Sequence, residues 1–268
     1  MTFNAFTSAE RDGWDARAGL YATHTARATM QIVPAMLDAL RLRPGDRLLD
    51  LACGTGNLAG AASALDVEAE GCDYAPSMVG EAHRRFPDLV FEVADAEDLP
   101  HLSGIFDKVA CNMGLFHMGD PDKAMCEAAR VLRKGGRFSF SQWAGPAQSE
   151  LYGKLFAVLQ ERADLGRADP APDAFALSDI DVATARMQAA GFEQIQHRML
   201  ETTLIAVGDD FFDFFLRFGV RVPLIVASQD AHVQDQLKQE INAAMAPFRT
   251  AEGFRVPMPS LLYTGVKP

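Results

Sequence analysis

The chain has 268 residues, 49% hydrophobic and 23% charged, which is enough for one sizeable core and ordinary for a globular protein. A formal net charge of -11 repels phosphate backbones and anionic membrane surfaces, so nucleic acid is not an expected partner. Cys53, Cys72, Cys111 and Cys126 form no CxxC pair and match no zinc spacing, so no metal is expected and the thiols read as reduced. The opening MTFNAFTSAERDGW has no basic segment followed by a long apolar run, and no apolar stretch is long enough to span a bilayer. A cytoplasmic protein is expected, with a homo-oligomer left open.

The first clear pattern is helical, over 24–41, where Ile32, Met36 and Leu40 recur at i, i+4 and i+8. Pro34 should kink this helix or divide it. After Pro44-Gly45, an apolar strand at 47–51 runs into Ala52-Cys53-Gly54-Thr55-Gly56, and a helix follows at 57–65. Strands at 67–73, 89–94 and 106–112 alternate with a helix at 76–85, whose proline suits a first turn. A helix at 121–133, closed by Lys134-Gly135-Gly136, leads to a fifth strand at 137–143. Beyond Trp143 the pattern predicts a helix and loop over 144–177, a helix at 178–190 and a long strand at 192–205. Residues 208–250 then read as mostly helical, and 260–266 as a final strand. Such alternation gives an α/β, doubly wound, mainly parallel seven-stranded Rossmann-like sheet covered on both faces. We expect a single domain, with its core at 45–205 and 258–268, lid helices at 1–30 and a helical cap at 208–250.

Ligands of open α/β sheets bind beyond the carboxyl ends of the strands, where strand order reverses. The Gly-rich turn stands there. Gly54 and Gly56 allow a tight turn and close approach of a ligand, and the next helix offers unpaired N–H groups. Gly54-Thr55-Gly56-Asn57-Leu58-Ala59 also matches a dinucleotide fingerprint, so an NAD(P)-dependent oxidoreductase competes. Asp50, four residues before the first glycine, separates the two readings. It would repel a diphosphate but attract a ligand carrying an ammonium and a sulfonium; alternatively it only bonds backbone N–H groups of the turn. Asp73, 23 residues later, suits a ribose diol of either ligand, because a carboxylate accepts two hydrogen bonds. Asp95 can accept from an adenine amino group, with the small Ala96 beside the ring; singly, such acids can equally be loop residues or helix caps.

The run 48–56 resembles the first motif of class I S-adenosylmethionine-dependent methyltransferases. Residues 71–78, 93–100, 106–109 and 130–136 resemble further segments of that family, in the expected order, together covering about 45–143. The small-molecule type is most alike, similar to the ubiquinone/menaquinone-biosynthesis methyltransferases, and Trp14, Arg17-Ala18 and Tyr21 fit that subgroup. The resemblance implies S-adenosylmethionine as cofactor, with S-adenosylhomocysteine as product. Asp50 and the 52–56 backbone, Ala52, Gly54 and Gly56 included, would hold the methionine moiety, and Asp73 the ribose. Tyr74 and Met78 would pack on the adenosine, Asp95 and Ala96 would read the adenine, and Asn112 and Met113 would lie below the sulfur. The family often has Gly where Ala52 stands. A non-catalytic S-adenosylmethionine-binding protein stays open, because these positions argue for binding, not turnover.

Methyl transfer to a small-molecule acceptor by direct displacement needs alignment, and a base only where the acceptor must lose a proton. His117 is the candidate base, or else a loop histidine that packs locally; His24 ranks below it. Tyr21 closes over the cofactor or is a core tyrosine. Phe211, Phe214, Phe215 and Phe218 share one helix face, which makes either a buried packing surface or an aromatic acceptor wall. Phe215, Phe218 and Trp14 are the candidate acceptor contacts.

Overall fold

The computed structural model describes residues 3–268. In chain order the elements are α1 (Asn4–Tyr21), α2 (Ala26–Thr29), α3 (Val33–Leu40), β1 (Arg47–Leu51), α4 (Asn57–Ser63), β2 (Glu68–Asp73) and α5 (Pro76–Arg85). Then come β3 (Val90–Val93), β4 (Phe106–Cys111), α6 (Pro121–Val131), β5 (Leu132–Trp143), α7 (Glu150–Arg162), α8 (Ile180–Ala189) and β6 (Glu193–Leu200). The chain ends with β7 (Thr203–Val207), α9 (Phe211–Phe218), α10 (Arg221–Ala227), α11 (Ala231–Met245), β8 (Arg249–Thr250), β9 (Gly253–Pro257) and β10 (Ser260–Val266).

Seven strands form one sheet in the order β3-β2-β1-β4-β5-β10-β6. The pairs among β1 to β5 are parallel, and β10 runs antiparallel between β5 and β6. The doubly wound α/β fold read from the sequence is therefore present. Strand order reverses between β1 and β4, so the crevice lies at the carboxyl ends of β1, β2 and β4. Buried apolar clusters cover the two faces: Leu48, Val79 and Leu155 belong to one, Leu49, Phe138 and Met187 to the other. Helix starts follow local chemistry. Asp120 caps α6 through Lys123 N (3.0 Å) with Pro121 next, and Asp210 caps α9 through Asp213 N (3.0 Å).

The helix over 24–41 is divided, one of the two outcomes expected of Pro34, into α2 and α3, with Pro34 in the first turn of α3, where its missing N–H costs nothing. Two elements differ from the sequence reading. Helix α6 stops at Val131, before Lys134-Gly135-Gly136, because Leu132 turns extended and pairs with Phe106 of β4. Sheet pairing thus carries the glycines into β5. The long strand at 192–205 is split: β6 pairs with β10, whereas β7 joins β9 and β8 in a separate three-stranded sheet. Alternation in sequence does not record that a strand changes partner. The unit above the crevice, 203–257, therefore contains a small sheet besides helices α9, α10 and α11.

Candidate active site

The turn after β1 is bent by backbone conformation. Ala52, Gly54 and Gly56 all have positive φ (51°, 54° and 76°). Glycine adopts this region freely, while alanine pays about 1–2 kcal/mol. Gly54 faces open space beneath the Tyr21 ring, 3.6 Å from where a Cβ would sit. Gly56 faces inward instead: a Cβ there would lie 2.7 Å from the Phe91 ring. Met113, at the end of β4, also has positive φ (59°), and its N–H donates to Ser141 Oγ (2.9 Å). Ser141 in turn donates to Asn112 Oδ1 (2.8 Å), and Asn112 Nδ2 donates to Thr29 O (3.2 Å).

Two cavities open on this edge. The larger encloses about 1200 Å³, its open mouth included, and the smaller about 370 Å³. They share Ala52, Asp73, Tyr74, Gly114 and His117. Asp95 and Ala96 line only the smaller cavity, with Glu97 beside them. Gly54, Tyr21, Met78, Asn112, Met113, Trp14, Phe215 and Phe218 line the larger. Thus most of the residues named from sequence meet around two adjoining cavities.

Asp50 and Gly56 line neither cavity. Asp50 is buried, its Oδ2 accepts from Ala59 N (3.2 Å), and burial pushes its pKa up to about 8. Asp73 braces the turn too: Oδ2 accepts from Gly54 N and Oδ1 from Ala75 N (both 2.9 Å). Each oxygen keeps a lone-pair site. Desolvation raises Asp73 to about 6 against the backbone hydrogen bonds that lower it. Burial lifts the Tyr21 phenol to about 12 and drives the Tyr74 phenol higher still. Both are neutral at physiological pH.

Glu10 was not among the residues read from sequence. It is fully buried on α1, and its Oε2 lies 2.8 Å from His117 Nδ1 and accepts from Trp14 Nε1 (3.2 Å). The Trp14 and His117 rings meet edge to face at 5.0 Å. Trp14, Ala18, Met78 and Val220 form an apolar cluster that holds α1 against the start of α5. Aromatic rings form much of the rest of the larger cavity, with Trp143, Tyr152, Phe156 and Phe175 adding to Phe215 and Phe218. None of these four was foreseen. Phe211, Phe212 and Phe214 are buried without lining it, and His24 stacks on Phe214 away from it.

Residues 49–140 match a family described as a methyltransferase domain. A demethylmenaquinone methyltransferase of Beutenbergia cavernae is 41% identical over 112 residues, which cover 42% of this chain and 47% of that protein, less than half its length. Another, from Paenarthrobacter aurescens, is 30% identical over 183 residues, covering 64% of this chain and 72% of its own. The crystal structure of the YcgJ protein of Bacillus subtilis has the same fold, with a TM-score of 0.63 at 21% identity over 89% of this chain and 98% of that one. With the Gly-rich turn, the strand-end acids and these matches in agreement, the chain belongs to the class I S-adenosylmethionine-dependent methyltransferases of the quinone-biosynthesis type, and S-adenosylmethionine is its methyl donor.

Proposed function

We propose that the chain methylates a small aromatic or enolic acceptor held in the larger cavity, with His117 as the base that takes the acceptor's proton. The observation that carries this reading is the position of His117, shared by both cavities and fixed at Nδ1 by the buried Glu10. Glu10 and Asp73 stand on the side shared with the smaller cavity, whereas Trp143, Tyr152, Phe156, Phe175, Phe215 and Phe218 wall the larger one, which suits a flat ring. The two relatives named above are demethylmenaquinone methyltransferases, in keeping with a hydroquinone-like ring.

The residues fit the methyl donor. Asp95 and Ala96 would take the adenine in the smaller cavity, and the unused lone pairs of Asp73 would accept from the ribose diol at the junction. The backbone of Ala52 and Gly54 would approach the amino-acid end. S-adenosylmethionine, when bound, supplies a methyl group already activated by its positive sulfur. Tyr21 and Trp14 exclude water from above, and Asn112 and Met113 hold the floor in place through Ser141. Glu10 keeps the proton-bearing nitrogen of His117 on Nδ1, which leaves Nε2 free to accept a proton from an acceptor hydroxyl as the carbon–sulfur bond breaks. Aligning acceptor and methyl group contributes up to about 7–11 kcal/mol, and the base about 10²–10⁴-fold.

Methyl-labelled S-adenosylmethionine with 1,4-naphthalenediol, kept reduced, tests the reading. Label should pass to the ring compound, and His117→Asn should lower kcat about 10²-fold or more while S-adenosylhomocysteine binds as before. Undiminished turnover in the variant removes the base role. Transfer to amines but to no hydroxylated ring removes the acceptor class.

A further inference from the structure

Among the described residues, five buried side-chain polar atoms have no hydrogen-bond partner: Glu10 Oε1, Arg17 Nε, Tyr74 OH, His101 Nδ1 and Gln142 Oε1. Glu10, Tyr74 and Gln142 line the larger cavity. The first two stand near the junction with the smaller cavity. Gln142 does not; it sits at the end of β5 beside Trp143, only 1% exposed.

The amide of Gln142 has one orientation. Its nitrogen donates to Trp143 O (3.3 Å) and Ala174 O (2.9 Å), and two carbonyls can accept only from the NH₂ end. The remaining atom is therefore the carbonyl oxygen, a buried acceptor without a donor on a residue that lines the cavity among aromatic rings. Thr25 and Asn112, which line the same cavity, are already engaged. Thr25 Oγ1 donates to Phe218 O, and Asn112 is bonded at both ends. Arg221, which also lines the cavity, offers only donors and so reads a different kind of group. Burying a carbonyl oxygen unpaired is costly, and a site built this way rejects molecules that cannot supply the donor.

We propose that Gln142 is a specificity residue that accepts a hydrogen bond from a hydroxyl or N–H on the acceptor ring and so sets which ring atom faces the methyl group. This rests on the larger cavity being the acceptor chamber. Because the same amide anchors Ala174, donor recognition also fixes the loop that carries Phe175.

Calorimetric titration of the S-adenosylhomocysteine-loaded protein with 2-naphthol and with 2-methoxynaphthalene tests it. The pair differs in a single hydrogen-bond donor. Wild type should bind the naphthol at least about tenfold more tightly, and Gln142→Leu should bind both alike while retaining its affinity for S-adenosylhomocysteine. Equal binding by wild type overturns the proposal without any variant having to fold, and so does a preference that survives in Gln142→Leu. If neither naphthalene binds the loaded protein and no hydroxylated ring is methylated, the acceptor-chamber reading fails as well. If a hydroxylated ring is methylated but the two naphthalenes bind alike, the role of Gln142 alone fails.

Discussion

Asp50 ends β1 with its carboxylate turned inward, bonded to Ala59 N and absent from both cavities. Of the two roles the sequence allowed, the bonding geometry favours the brace of the turn over direct contact with an ammonium group. That position has a pH signature. Burial raises the carboxyl from 3.8 to about 8 in the folded chain. Below about pH 4 both states hold the proton and the group contributes nothing. Between about 4 and 8 the unfolded chain ionises first, so it binds fewer protons than the folded one and stability falls as pH rises. Asp50→Asn should thus raise Tm at pH 8 by roughly 2–8 °C and leave it unchanged at pH 4. A variant less stable at pH 8 would show that the charge is satisfied. Strand-end acids were legible because a strand followed by a turn has a recognisable place in this fold. Glu10 was not, because its partner His117 lies 107 residues away and no spacing rule links them.

At the scale of elements, the phenylalanines of α9 carry two roles that one periodicity could not separate. Phe211 stacks on Phe215 (5.7 Å) and meets Phe254 of β9 edge to face (5.5 Å), which is packing. Phe215 and Phe218, stacked at 5.5 Å, also line the cavity. Phe215→Ala should weaken binding of 2-naphthol about tenfold or more while S-adenosylhomocysteine affinity changes less than twofold, as read by calorimetry. Equal losses for both ligands would reduce α9 to a structural helix. The core strands were legible because parallel strands buried on both faces read as apolar runs broken by turns. The split of 192–205 was not, since β6 and β7 carry similar patterns and only their partners, β10 and β9, tell them apart.

At the scale of the molecule, α1, α2 and the 203–257 unit close over the crevice together. Arg17 Nη2 donates to Leu216 O (3.3 Å) and Thr25 Oγ1 to Phe218 O (2.5 Å), tying the first helices to α9. Hydrogen exchange should therefore slow in α1 and α9 jointly when S-adenosylhomocysteine binds, with β4 and β5 little changed. Protection confined to the 52–56 turn would mean that the covering elements move independently of the cofactor. Sequence revealed that helices stand on this side, but not how they are joined, because the joints are backbone carbonyls that any residue supplies. The 203–257 unit, finally, leaves the large sheet and returns to it at one place: Met258 N donates to Thr202 O (2.9 Å), and the two chain crossings lie side by side. An excursion whose ends meet can be exchanged for another of different length without re-registering the strands on either side. The architecture lets the part of the cavity wall that Phe215 and Phe218 supply vary independently of the sheet that carries the Gly-rich turn.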